Sequence, residues 1–460
     1  MLIEHQVVRN LVRTSPVAGS SLAGVLRQIA RCRRIARRDI ARALELSPAT
    51  VSKAVARLQD IGLVRSEPPR TERPGRPAVP LLWSDDYACL GVSVIDRNGL
   101  PSRLVGVATG LDGRAVGPAA RHRLDDGARR DGKQLLAQIS TFIDSLTSRA
   151  DLAQREVLGV GVQVGGPVQD GVVRLSPNSG WATEESLWRV QGGGLDVRQG
   201  LQRMIRRPVA VDNNVTALAV YESLYGGTSA SNFVVVAVFY DRVGAGIVLN
   251  GRVWRGHTSM AGEAGHIRVH SERTARECHS GHRGCVEAYS TPASIMSELG
   301  ELPETAISRI MGEDEREAFS AAGEALGYGL ASIINWLNPE KIILYLPELL
   351  RSYAWDKAGR SYIDAMRNAV RKGSLPDGAD TVIEEQFFSA DHMEEICARA
   401  AAGLVLEAIV QDVELQEGHA GSPDRRRRPR RRDRGRPQEQ RSQDSSRTSG
   451  ETAGVRRPTE

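Results

Sequence analysis

This 460-residue sequence has no hydrophobic run long enough to cross a bilayer: its longest, Phe233 to Tyr240, falls far short of the ~20 residues a membrane helix needs. Met1 to Asn10 lacks a basic stretch leading into an apolar core, so no secretory signal is expected there. Five cysteines (Cys32, Cys89, Cys278, Cys285 and Cys397) are too few and too scattered for a disulfide framework, and a reducing cytoplasm is the expected compartment. The glycine clusters carry neither a Walker lysine nor a Rossmann acid at the right offset, so "GVGVQVGGPVQDG" and "RVGAGIVLNG" read as tight turns rather than nucleotide loops. These absences remove membrane and secreted classes. What is present, 41% hydrophobic and 25% charged residues, suits a soluble chain with room for about three domains of roughly 150 residues.

Charge is unevenly spread. Residues 1–84 hold 15 Lys and Arg against 6 acids, and residues 421–460 hold 13 Arg against 6 acids. With a net charge of +5 for the whole chain, the body between them is left with −11. A basic head on an acidic body is the pattern expected of a phosphate-binding module joined to one that does not bind nucleic acid.

In the head, apolar residues recur at helical spacing in three blocks: Leu22, Val25, Leu26 and Ile29; Ile40 and Leu44; Val51, Val55 and Leu58. Ser47 followed by Pro48 marks the start of the third helix, because serine caps orphan amides and proline at the first position loses no hydrogen bond. Residues 38–57 fit a helix-turn-helix, with Ala49, Thr50, Ser52 and Lys53 facing base edges and Arg57 facing phosphate. Glu45 sits where the turn favours glycine, at a cost of about 1 kcal/mol if left-handed. A wing follows, carrying Arg73 and Arg76 on a narrow tip suited to the minor groove. The head spans residues 20–83 and is expected to have its own core.

From residue 85 to 411, strand-like runs alternate with helical ones, which makes this an α/β body long enough for two lobes and a cleft. Its densest chemistry lies in "GEAGHIRVHSERTARECHSGHRGCVE", residues 262–287, with four of the nine histidines. His266, Cys278 and Cys285 are ligand types that Zn²⁺ prefers, and His279 or His282 could complete a tetrahedron. The alternative is a surface loop with two unmetallated cysteines.

The order of "LSPATVSKAVARLQDIGLV", "GGPV", "VDNNVTALAVYE", "NGRVWRGHTSMAGEAGH", "GHRGCVE" and "NPEKIIL" resembles the ROK family, in its NagC/XylR-type transcriptional regulators, across about residues 20–411. The resemblance implies an actin-like, two-lobed body with a sugar in the cleft. It puts sugar contacts at Asn213, Glu263, His266 and Glu287, with Asn214 beside them. Family kinases carry a catalytic aspartate where this chain has Asn214, and an amide cannot act as that base. Their glycine loops are replaced by "SVIDRNG", by Tyr240, Asp241 and Arg242, and by Leu346 and Pro347, so no ATP is expected. The family's zinc motif has a cysteine where Ser280 stands, which leaves zinc dependent on His279 or His282. Residues 414–460, rich in arginine and nearly free of apolar side chains, read as a disordered tail.

The expected function is a cytoplasmic, sugar-responsive repressor that binds double-stranded DNA as a homo-oligomer, either a dimer or a dimer of dimers, without a membrane partner. Two other readings stand beside it: an ATP-dependent sugar kinase with a fused head, and a dimerisation or protein-docking body without a small-molecule ligand.

Overall fold

The computed structural model describes residues 21–420, except 68–78, 97–101, 126, 129–130, 175–181, 184–185, 191–193, 301–312 and 352–355. Helices α1 (Ser21–Cys32), α2 (Arg37–Ala43) and α3 (Pro48–Asp60) build the head, with β1 (Ile35–Ala36) pairing β3 (Pro80–Trp83), which also pairs β2 (Val64–Ser66). Glu45 is left-handed at φ 53°, as the turn requires. Arg73 and Arg76 lie outside the described residues.

The body holds two five-stranded sheets. In the first lobe β4 (Tyr87–Ile95), β5 (Arg103–Thr109) and β6 (Ala120–Arg123) run antiparallel, and β7 (Glu156–Val164) and β8 (Val209–Asn213) continue parallel from the other side of β4. In the second lobe β9 (Phe233–Val238), β10 (Val243–Leu249) and β11 (Arg252–Trp254) are antiparallel, and β12 (Lys341–Pro347) and β13 (Val382–Phe388) extend parallel from β9. Both sheets therefore have the strand order 3-2-1-4-5 with the same directions. This internal repetition is the two-lobed architecture expected above.

Helix α4 (Gly132–Thr147) covers one face of the first sheet, its Leu135, Ile139, Phe142 and Leu146 buried at helical spacing. The second lobe adds α6 (Glu313–Leu337) and α7 (Asp356–Gly373), packed on each other. Between the lobes lie α5 (Asn214–Tyr225) and α8 (Ala390–Ala420), which pack against each other and against both sheets. Helix α5 is buried on all sides, which explains why its sequence is apolar almost throughout.

Of the glycines first read as turn-formers, Gly166, Gly171 and Gly251 do turn the chain at positive φ, but those inside the strands have another role. Gly161 sits inside β7, where a Cβ would stand 1.9 Å or less from α8 backbone: 1.7 Å from the carbonyl oxygen of Ala401. Gly246 does the same for α5, with a Cβ only 2.5 Å from the carbonyl oxygen of Val215. Their absent side chains let two helices lie directly on the sheets.

Two further expectations are corrected. The head does not have a separate core: Leu22, Leu26, Ile29, Leu58 and Trp83 belong to one buried cluster with Leu218 and Leu224 of α5 and Val405 and Ile409 of α8. The apolar stripe of α1 has two partners, the head helices and the body. The last helix runs to Ala420, so residues 414–420 are helical rather than disordered, and residues 421–460 lie outside the described residues. Among the described residues, no helix is long and apolar enough to cross a membrane.

Candidate functional site

The carboxyl ends of β4, β7, β8 and β9 and the loop at 259–266 enclose a cleft of about 190 Å³, the position where parallel strands usually present a ligand site. Asn213, Asn214, Glu263, His266 and Glu287 all line it, although they come from three separate stretches of chain. Asn213 ends β8 and caps α5. Its Oδ1 accepts from the Val215 and Thr216 amides at 2.9 and 3.3 Å, while its Nδ2 donates to the Gly166 carbonyl at 3.0 Å. Asn214 opens α5, and its Oδ1 also accepts from Val215 at 2.9 Å.

Glu263 is held in place by Gly262, which takes φ +97° and packs so closely on β10 that a Cβ would meet the Ala245 carbonyl oxygen at 1.9 Å. Its side chain opens to the cleft, yet the surrounding protein and then the charge of Glu287 push its carboxyl above the ordinary range. Glu287 is buried, hydrogen-bonded to His279 Nδ1, and has its Oε1 3.7 Å from His266 Nδ1. Burial lowers His266 below the usual imidazole value against the pull of Glu287. Neutral imidazole, amides and carboxylates at one place can grip hydroxyl groups in fixed directions, since each supplies two polar atoms.

The neighbouring loop brings a second cluster together. Ligand atoms of His266, Cys278, His282 and Cys285 all lie within 4.8 Å of one another, with Cys278 Sγ 3.7 Å from His266 Nδ1. His282, not His279, joins the two thiols; His279 instead holds Glu287 and meets the Ser280 hydroxyl at 3.1 Å. His266, His279 and Glu287 form a second compact group, but one without sulfur. Burial, and after it the adjacent Cys278, push the Cys285 thiol up to about 12. Two imidazoles and two thiols at this spacing fit a tetrahedral zinc ion.

On the head, Ser47 caps α3 by accepting from the Thr50 amide at 3.1 Å. Ala49, Ser52 and Lys53 are exposed along the helix. Thr50 is only half-exposed and its hydroxyl is engaged with Ser47 at 2.8 Å, so it serves the cap as well as the outer face. Arg57 is half-buried.

Residues overlooked in the sequence also line the cleft: Asp96, Gln163, and Glu394, which pairs with Arg103. Gln163 was detectable as the one amide in a strand that is otherwise apolar after Glu156. Glu394 was not, because its partner lies far away in the chain. The same holds for two ion pairs behind the cleft. Asp212 binds Arg255 at 2.7 and 2.8 Å, and Glu407 of α8 binds Arg27 of α1 at 2.8 Å.

Comparison with known proteins gives a concordant picture. The model of the ROK family matches residues 115–345, and that of a winged helix-turn-helix DNA-binding domain matches residues 24–65. The chain is 24% identical over 389 residues to the xylose repressor of Bacillus spizizenii, covering 79% of this chain and 94% of that protein. It is 26% identical over 341 residues to the DNA-binding transcriptional dual regulator NagC of Escherichia coli, covering 70% and 79%. The crystal structure of a ROK family transcriptional regulator, a homologue of the E. coli Mlc protein, superposes with a TM-score of 0.63 at 22% identity, over 86% of this chain and 97% of the other. With half of its length matched by the family model, the twofold 3-2-1-4-5 sheet and the winged head in front of it, this chain belongs to the ROK family.

Proposed function

We propose that this chain is a sugar-responsive, DNA-binding transcriptional regulator that acts as a repressor in the cytoplasm. The observation that carries the reading is that the two helices lining the cleft at their amino ends hold the head at their carboxyl ends. Helix α5 starts with Asn214 in the cleft; near its end the Ser223 carbonyl accepts from Arg31 Nε at 3.1 Å and the Tyr225 carbonyl from Arg33 Nη2 at 3.4 Å. Helix α8 has Met393, Glu394 and Cys397 at the cleft and Glu407 on Arg27. A helix transmits displacement along its length because its backbone hydrogen bonds make it stiff. A ligand that draws the lobes together therefore shifts the ends on which α1 rests. Such coupling is worth about 1–3 kcal/mol in typical regulators, a change of roughly 5- to 150-fold in affinity.

The relatives' names support the same reading; under it the chain would act as a homo-oligomer, because helix-turn-helix heads read two half-sites as a pair. Gel-shift titrations on fragments selected from random DNA, with and without D-xylose, D-glucose and N-acetyl-D-glucosamine, test it. At least one sugar should weaken binding, and Glu263→Gln should abolish that response with sugar-free DNA affinity unchanged. DNA binding that no sugar alters would favour the docking-body reading.

The same site argues against a kinase. Asn214 has no carboxylate to take a hydroxyl proton, and its amide oxygen is engaged at the start of α5. Asp241 and Arg242 pair with each other at 3.2 Å within the stretch that replaces the kinases' glycine loop. No sugar-dependent ADP release is expected, and Asn214→Asp alone should not create it.

A structural zinc on His266, Cys278, His282 and Cys285 would hold the loop that carries His279 and Glu287. Metal analysis of chelator-free protein should find about one zinc per chain, lost in Cys278→Ser together with sugar response. Full response without metal would show that packing alone holds the loop.

A further inference from the structure

The first-lobe wall of the cleft contains a side chain with an unfilled hydrogen-bonding position. Gln163 is 1% exposed, and its Nε2 donates to the buried Ser93 hydroxyl on the neighbouring strand. That bond fixes the amide of a residue that lines the cleft, and its buried Oε1 has no hydrogen-bond partner among the described residues. A buried carbonyl without a donor is unfavourable, and a ligand hydroxyl is the group that would relieve it. The charges around it are mostly of one sign. Among the described lining residues, Asp96, Asp241, Glu263, Glu287 and Glu394 are carboxylates, and Arg242, the one Lys or Arg, already pairs with Asp241. The amino end of α5, the usual cradle for an oxyanion, is filled from within, because the Asn213 and Asn214 side chains accept from the Val215 and Thr216 amides. A phosphate dianion would meet acceptors on this wall where it needs donors, whereas hydroxyls find acceptors waiting.

We propose that Gln163 is a specificity-determining residue and that the cleft takes an uncharged, hydroxyl-rich sugar while rejecting its phosphate ester. The inference rests on the reading of the cleft as a sugar site. Calorimetric titration of the full chain at constant ionic strength tests it, with D-glucose, D-mannose and N-acetyl-D-glucosamine set against their 6-phosphates. At least one free sugar should bind, its 6-phosphate should bind at least tenfold more weakly, and Gln163→Met should weaken the free sugar about tenfold or more. The same substitution removes one orphaned polar atom but also the donor to Ser93, so a thermal melt establishes that the variant is folded before its affinity is read. A 6-phosphate that binds as tightly as its parent sugar, and loses affinity in Glu263→Gln, would overturn the inference and leave the sugar site standing. Free-sugar affinity unchanged in a folded Gln163→Met would overturn the role of Gln163. If neither form of any sugar binds, the sugar reading fails and this inference with it.

Discussion

Glu222 lies 5% exposed inside α5, with the Tyr345 hydroxyl as its hydrogen-bond donor. Burial raises its carboxyl above the ordinary value of 4.5, and the bond from Tyr345 pulls in the opposite direction. While the carboxyl is protonated in both folded and unfolded chains there is no penalty. Destabilisation sets in as pH rises past the ordinary value and is complete above the folded one. Glu222→Gln, which keeps an acceptor for Tyr345, should therefore raise the melting temperature at pH 7, with the gain vanishing near pH 4. Thermal melts across that range check both ends. On the head, Lys53→Ala should lower affinity for a selected site by about 1–3 kcal/mol if Lys53 reads a base, while Ser47→Ala should cost about 1 kcal/mol of stability through the lost cap. Gel shifts separate the two, because a cap mutation changes melting first.

At the scale of elements, the joint between α1 and α8 is the part of the design most exposed to a single substitution. The Arg27 and Glu407 side chains are 13% and 4% exposed, and Glu414 adds a second acid at 3.5 Å. Removing one partner of a buried pair leaves a charge that water cannot reach, which costs about 3–5 kcal/mol, whereas replacing both is often neutral. Arg27→Met should thus destabilise the protein by about 3 kcal/mol, and Arg27→Met with Glu407→Leu should recover most of that. A double-mutant cycle by denaturant unfolding measures the coupling. If the joint carries the signal, the recovered double variant should still bind DNA and sugar but respond to sugar more weakly.

At the scale of the molecule, a shared core makes the head part of the body's cooperative structure. Amides of α1 should exchange with solvent as slowly as those of α5 and α8, because opening α1 would expose Leu218 and Leu224 as well as its own Leu22 and Leu26. Hydrogen-exchange mass spectrometry of the full chain checks this, and a head that exchanges orders of magnitude faster would return it to the status of an independent module.

Local chemistry fixed what could be read without coordinates. The Ser47-Pro48 start of α3, the left-handed Glu45, the strand at 87–95 and the helix of α5 each follow from residues within one or two turns of themselves, and all appear where periodicity and capping place them. The cleft residues were legible through the motifs that carry the family resemblance. What local pattern could not supply was any choice settled by distant partners. Gly161 reads as a turn until the backbone of α8 is seen against it. His279 and His282 are equivalent in sequence, three residues apart, until folding turns one toward Glu287 and the other toward two thiols. Arg27 is one more basic residue of the head until Glu407, 380 positions later, arrives beside it. Composition and spacing determined that this chain has a winged head and a polar α/β body. Only the tertiary structure decided that the two share a core, because that depends on which apolar and charged faces meet across the whole length of the chain.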